Sequence, residues 1–140
     1  MVPVNYWALL GAAVASMILG SLWYGPLFGK KWMALSGMSP DKINAAKSKG
    51  MGKSYALMFV GSLVTAYVLS HFLVFASAYM EAAGVSAGFM AGFWVWLGFI
   101  APVTLGSVLW EGKSWKLWIL NNGYQFLSLV IAGVILALWQ

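Results

Sequence analysis

The charged residues of this chain are confined to three places, and that confinement decides what it can fold into. Every Lys, Asp and Glu lies within residues 30–53, at position 81, or within 111–116. Four charge-free windows remain, 1–29, 54–80, 82–110 and 117–140. Each exceeds the roughly 20 apolar residues that a helix needs to cross a bilayer. Backbone N–H and C=O groups cannot stay unpaired in lipid, so each window must coil into a helix, and four spans are too few to close a barrel. Only 8% of the residues are charged, against roughly 25% in soluble domains, which excludes a water-soluble globule. The expected architecture is an all-α integral membrane four-helix bundle, built as two helical hairpins in one transmembrane domain over 1–140. Its spans fall at about 4–24, 54–78, 87–110 and 116–139.

Lysine placement predicts the orientation, because positively charged short loops are retained in the cytoplasm. Lys30, Lys31, Lys42, Lys47, Lys49 and Lys53 fall in the first loop and Lys113 and Lys116 in the third, with none in the second loop or the tails. Both termini are therefore expected outside. No basic residue precedes the first apolar run, so that run reads as a retained span and not as a cleaved leader. Tryptophan prefers the headgroup layer. Trp7 and Trp139 would mark one face of the membrane and Trp23, Trp32, Trp110, Trp115 and Trp118 the other, with Trp94 and Trp96 as packing residues. In the loop 25–53, Ser39-Pro40-Asp41 reads as the start of a short cytoplasmic amphipathic helix of about 40–48, ended by Gly50 and Gly52.

Absences narrow the chemistry. The chain has no Cys, hence no disulfide, thiolate nucleophile or cysteine-bound cluster. It has no Arg, hence no bidentate phosphate clamp or base-reading guanidinium. The net charge of +5 sits beside the spans, where anionic membrane lipid is the expected partner and nucleic acid is not. His71 is the only histidine, and with Asp41, Glu81 and Glu111 as the only carboxylates no metal site and no cofactor is expected. His71 reads instead as a neutral group bonded to neighbouring helices or reaching the interface.

The motifs Asn5-Tyr6-Trp7, Leu19-Gly20-Ser21-Leu22-Trp23-Tyr24-Gly25-Pro26-Leu27-Phe28-Gly29-Lys30, Gly98-Phe99, Ala101-Pro102 and Leu109-Trp110-Glu111-Gly112-Lys113 span most of the chain. On them the sequence resembles the bacterial family of small membrane proteins catalogued as domain of unknown function 1761. The resemblance implies a four-helix integral membrane protein, in a bacterial inner membrane, and supplies no catalytic residue to carry over.

Three groups of residues could carry a role. Gly50-Met51-Gly52-Lys53-Ser54 looks like the end of a phosphate-binding loop. Lys47 stands where that motif needs glycine, and no strand precedes it, so nucleotide binding is not expected. A lipid phosphate seated by Lys49, Lys53 and Ser54 at the start of the second span remains open, beside a plain glycine hinge capped by Ser54. The second group is polar. Thr104, Ser107 and Glu111 share one face of span three, and Asn121, Gln125 and Ser128 repeat that spacing on span four. A turn near residue 114 brings Ser107 opposite Asn121 and Thr104 opposite Gln125, and Pro102 permits a kink beside them. These groups read either as glue between helices or as a cytoplasm-facing cavity. Under both readings Gln125→Leu is expected to lower stability. The third group is small: Ala12, Ser16 and Gly20 on span one, and Gly84, Gly88 and Gly92 into span three, let backbones approach within one chain or between copies of a homo-oligomer. No nucleophile pairs with a base, so an enzyme is not expected. The reading is a non-catalytic scaffold or lipid-interacting membrane subunit; the alternative is a homo-oligomeric transporter or channel for a small solute.

Overall fold

The computed structural model describes residues 2–139 and is helical throughout its regular structure. Four helical tracts are long and apolar enough to cross a membrane: Tyr6–Leu27, Gly52–Tyr79, Gly84–Leu109 and Trp115–Leu138. The first and third are not continuous α-helix. Helix α1 (Tyr6–Leu22) passes into a π-helical turn, Trp23–Leu27, in which the Phe28 N–H reaches back five residues to the Trp23 carbonyl at 2.9 Å. Pro26 cannot donate to Leu22, and Gly25 takes a non-helical conformation to absorb the extra residue. The chain tightens again at Gly29, where an added Cβ would lie 2.7 Å from the Tyr24 carbonyl oxygen. It then forms α2 (Gly29–Ser36), a helix within the stretch expected to be loop, and closes it with Gly37 at φ 72°. Ser39 caps α3 (Pro40–Ser48) by accepting the Lys42 N–H at 3.3 Å.

The third tract breaks in the same manner. Helix α5 (Gly84–Val95) runs into a second π-helical turn, Trp96–Ile100, whose closing bond joins the Ala101 N–H to the Trp96 carbonyl. Pro102 follows and leaves the Gly98 carbonyl without its helical donor, so the irregular turn sits where the proline requires it. Two short helices, α6 (Ala101–Thr104) and α7 (Gly106–Leu109), complete the tract. By contrast α4 (Gly52–Tyr79) and α8 (Trp115–Leu138) are uninterrupted.

Helix α8 packs against α1, α4 and α5, while α4 also touches α1 and α5. The core joins Ala8, Leu9 and Ala12 of α1, Ala66, Leu69 and Leu73 of α4, Ala87 and Ala91 of α5, and Leu129, Ala132 and Leu136 of α8. Small residues dominate because the backbones approach too closely for larger ones. A Cβ on Gly88 would lie 2.5 Å from the Gly133 carbonyl oxygen, and one on Gly92 would lie 2.7 Å from that of Leu129. Ala12 and Ser16 are buried, and Gly20 faces the Tyr124 ring, whose hydroxyl would stand 3.2 Å from an added Cβ. Gly84, at φ 55°, meets only a Leu138 methyl at 3.9 Å, so it serves the start of α5 and not the crossing. The glycine spacing is thus used inside one chain at Gly88 and Gly92.

Candidate functional site

Where α1 and α7 end, they flank the first third of α8 and leave a cleft of about 630 Å³. Its walls are Tyr24 and Trp32 on one side, Val103 to Lys113 on the other, and Trp118, Asn121, Asn122 and Gln125 of α8 between them. No residue of α4 lines it.

The floor is a closed hydrogen-bond knot. The Thr104 hydroxyl donates to the Ile100 carbonyl at 2.8 Å and accepts from Trp118 Nε1 and Asn122 Nδ2, both at 3.0 Å. One proton and two lone pairs are all the hydroxyl has, and all are used. Asn122 is 4% exposed; its Oδ1 accepts from Trp96 Nε1 at 3.2 Å and its Nδ2 also donates to the Trp118 carbonyl at 3.1 Å. Trp96 sits in the π-helical turn before Pro102, so the proline break is what presents both the indole and Thr104 to α8. The sequence reading missed Asn122. It had selected Asn121, which shares the i, i+4, i+7 face with Gln125 and Ser128, whereas Asn122 lies four residues after Trp118 and seven before Leu129, on the face that is buried.

The expected pairing of Ser107 with Asn121 and Thr104 with Gln125 is therefore corrected. The helix of span three stops at Leu109 and α8 starts at Trp115, so the chain turns earlier than 114 and Thr104 meets Trp118 and Asn122. Asn121 turns to the other side and accepts the Tyr24 hydroxyl at 2.9 Å. Ser107 donates to the Thr104 carbonyl at 2.8 Å. Ser128 lies beyond the cleft, donating to Ser16 Oγ at 3.0 Å across the α1–α8 contact. Glu111 stands at the mouth, half exposed to solvent and paired with Lys113 at 3.0 Å.

What remains uncommitted faces the cleft. Among the described residues, the Gln125 amide has no hydrogen-bond partner and neither does Asn121 Nδ2. The cleft thus presents amide donors and an acceptor behind an ion pair, with the rings of Tyr24 and Trp32, 5.9 Å apart and edge to face, as one side. It ends at the knot, and the apolar core begins beyond it.

Other expectations fall elsewhere. Lys49 is the C-cap of α3, and Lys53 and Ser54 are exposed in the first turn of α4, which Met51 begins without a side-chain cap; the Ser54 cap is not formed. His71 Nδ1 lies 2.9 Å from the Tyr67 carbonyl of its own helix, so it satisfies itself locally and not on a neighbour. Trp23 and Trp118, assigned to the headgroup layer, use their indole N–H groups inside the bundle, Trp23 on the Leu120 carbonyl at 3.1 Å. Trp94, assigned to packing, is 53% exposed beside Phe72 and Phe75. Among the described residues no three His, Cys, Asp or Glu side chains gather as a metal site.

Comparison with known proteins returned a family match. The family model described as "Protein of unknown function (DUF1761)" covers residues 7–137. No curated protein and no solved structure matches the chain.

Proposed function

The chain belongs to the DUF1761 family of proteins of unknown function, and on that premise we propose that it is a non-catalytic membrane subunit that holds a small polar ligand in its one-sided cleft. The ligand is a hydrogen-bonding group, presented by a lipid headgroup or by a free solute. The observation that carries this reading is the division of labour on α8. Asn122 is fully spent on structure, while the Gln125 amide one turn away is spent on nothing. Gln125 is exposed in the cleft and its amide bonds nothing among the described residues, so it is free to pair with a polar group that enters. The packed apolar core beyond the knot favours binding over conduction through a single copy.

In this reading α1 with α4, and α5 with α8, are the two hairpins, and the lysine-bearing connections place the cleft mouth and α3 on the cytoplasmic side of a bacterial inner membrane, against anionic lipid. The test is thermal unfolding of the protein purified in native lipid, followed by mass spectrometry of what it retains. Native lipid extract or a retained solute should raise the Tm of the unsubstituted protein, and Gln125→Leu should abolish that rise while leaving the ligand-free Tm in place. An equal rise in both proteins would sink the reading.

A further inference from the structure

The cleft presents its free polar groups in the order in which a phospholipid presents its own, and we infer that its ligand is a glycerophospholipid with a zwitterionic, ammonium-bearing headgroup, seated with its ester oxygens innermost. This deepens the binding reading above and rests on it.

The mouth comes first. Glu111 and Lys113 are the charged residues that line the cleft, and they fall between the third and fourth helical tracts, outside both. Gly112 turns the chain at φ 70°, and the Lys113 N–H donates to the Ser107 carbonyl at 3.0 Å, which ties the turn to the cleft wall. The two side chains meet through Glu111 Oε2, leaving Oε1 and the remaining Lys113 ammonium protons without a partner among the described residues. Both side chains are more than half exposed, so widening the pair costs little. The mouth is a small dipole with no net charge. A ligand of one sign would meet one partner and one like charge there, whereas a ligand carrying both signs gives each group a partner.

Behind the mouth the free groups are chiefly donors. Trp32 Nε1, Asn121 Nδ2 and the Gln125 amide have no partner among the described residues that line the cleft, and an indole N–H can only donate. The hydroxyl protons beside them are already committed, that of Tyr24 to Asn121 Oδ1 and that of Ser107 to the Thr104 carbonyl. The partner this set calls for is rich in acceptors, as phosphate and ester oxygens are. Asn121 and Gln125 stand one turn apart on α8, roughly 6 Å, and a diacylglycerol unit carries ester carbonyls on neighbouring carbons, one for each amide. Gln125 is the farther of the two along α8 from the Glu111 turn, so the donors continue inward from the charges.

The cleft also opens sideways. Val103 lies on its wall within the third tract and is 73% exposed, and no residue of α4 lines it. A surface open at that depth meets acyl chains, so a ligand whose headgroup enters the cleft can keep its chains in the bilayer. A phospholipid uses both openings; a water-soluble molecule would use only the mouth. Charge then decides among lipids. The lysines of residues 30–53 suit anionic lipid in general, yet on the cleft Lys113 is matched by a carboxylate. Phosphatidylglycerol would bring its negative charge to a neutral mouth and no cation to Glu111, whereas phosphatidylethanolamine brings both signs.

The test offers delipidated protein in dodecyl maltoside three lipids with identical acyl chains: phosphatidylethanolamine, phosphatidylcholine and phosphatidylglycerol. Native mass spectrometry counts the lipid retained, and Tm is read beside it. Phosphatidylethanolamine should be retained in preference to both others and raise Tm most, with the choline lipid behind it because its ammonium has no N–H to donate. Glu111→Gln should cut the preference for phosphatidylethanolamine over phosphatidylglycerol about fivefold. Its lipid-free Tm is the folding control, since the position is exposed. Equal retention of the ethanolamine and glycerol lipids, or a preference that survives Glu111→Gln, would overturn the inference. So would an equal Tm rise from soluble glycerophosphoethanolamine, because the acyl chains would then be idle and the ligand a free solute. In each of those cases a Tm rise that disappears in Gln125→Leu leaves the binding reading standing. An ethanolamine preference with the same Tm rise in Gln125→Leu would sink the binding reading and, with it, the seating of the ester groups.

Discussion

Two neighbouring amides on α8 divide structure from function, and substitution should separate them. Asn122→Leu strips the partner from Trp96 Nε1 and one from Thr104 at a buried site. It should cost about 2 kcal/mol, read as a lowered Tm in detergent. Thr104→Val keeps the shape and removes the hydroxyl that both Trp118 and Asn122 address, and should lower Tm comparably. Gln125→Leu, expected from sequence to destabilise, breaks no bond among the described residues and should move ligand-free stability by no more than ~0.5 kcal/mol. If Gln125→Leu proves as damaging as Asn122→Leu, the cleft amide is structural after all. The sequence made Thr104, Ser107, Glu111, Asn121 and Gln125 legible as one polar region, since hydrocarbon forbids scattering such groups. It hid Asn122, because which of two adjacent asparagines is buried depends on the rotation of α8, set by the Gly88–Gly133 crossing and not by local pattern.

That crossing governs the elements. Gly88→Ala would drive a methyl into the α8 backbone, which cannot rotate away as a side chain would, so α5 and α8 must separate. The expected cost is about 3 kcal/mol, measured as a loss of Tm, whereas Gly98→Ala, with open space around it, should be close to neutral. Helix existence was readable throughout, since long uncharged tracts leave the backbone no other way to pair its polar groups. Helix interruption was half readable. Pro102 signalled a break, and the π-helical turn lies just before it, but the matching turn at Trp23–Leu27 and the extra helix α2 were not anticipated. The stretches that carry the family resemblance sit on these irregularities: Asn5 caps α1, Tyr24 to Gly29 form the first break, Gly98 to Pro102 the second, and Glu111 to Lys113 the turn into α8.

At the scale of the whole molecule, the proposed sidedness can be read with single cysteines. Ser39 caps α3, so the exposed Asn44 is the better reporter for the first connection, with Ser86 for the second. An impermeant maleimide applied to intact cells should label Ser86→Cys and spare Asn44→Cys; the reverse pattern would invert the membrane assignment. The stand-off of α4 from the cleft was invisible in the sequence, because an apolar helix reads alike whether protein or lipid covers it. The dominance of α8 has a consequence for biogenesis. Every other span leans on it, yet it is the last of the four to leave the ribosome, so Gly88, Gly92, Thr104 and Trp23 wait in the translocon without their counterparts until the final segment arrives. The contacts of α4 with α1 and α5 can form earlier, so the arrival of α8 completes the bundle by burying the glycine crossing and closing the Thr104 knot.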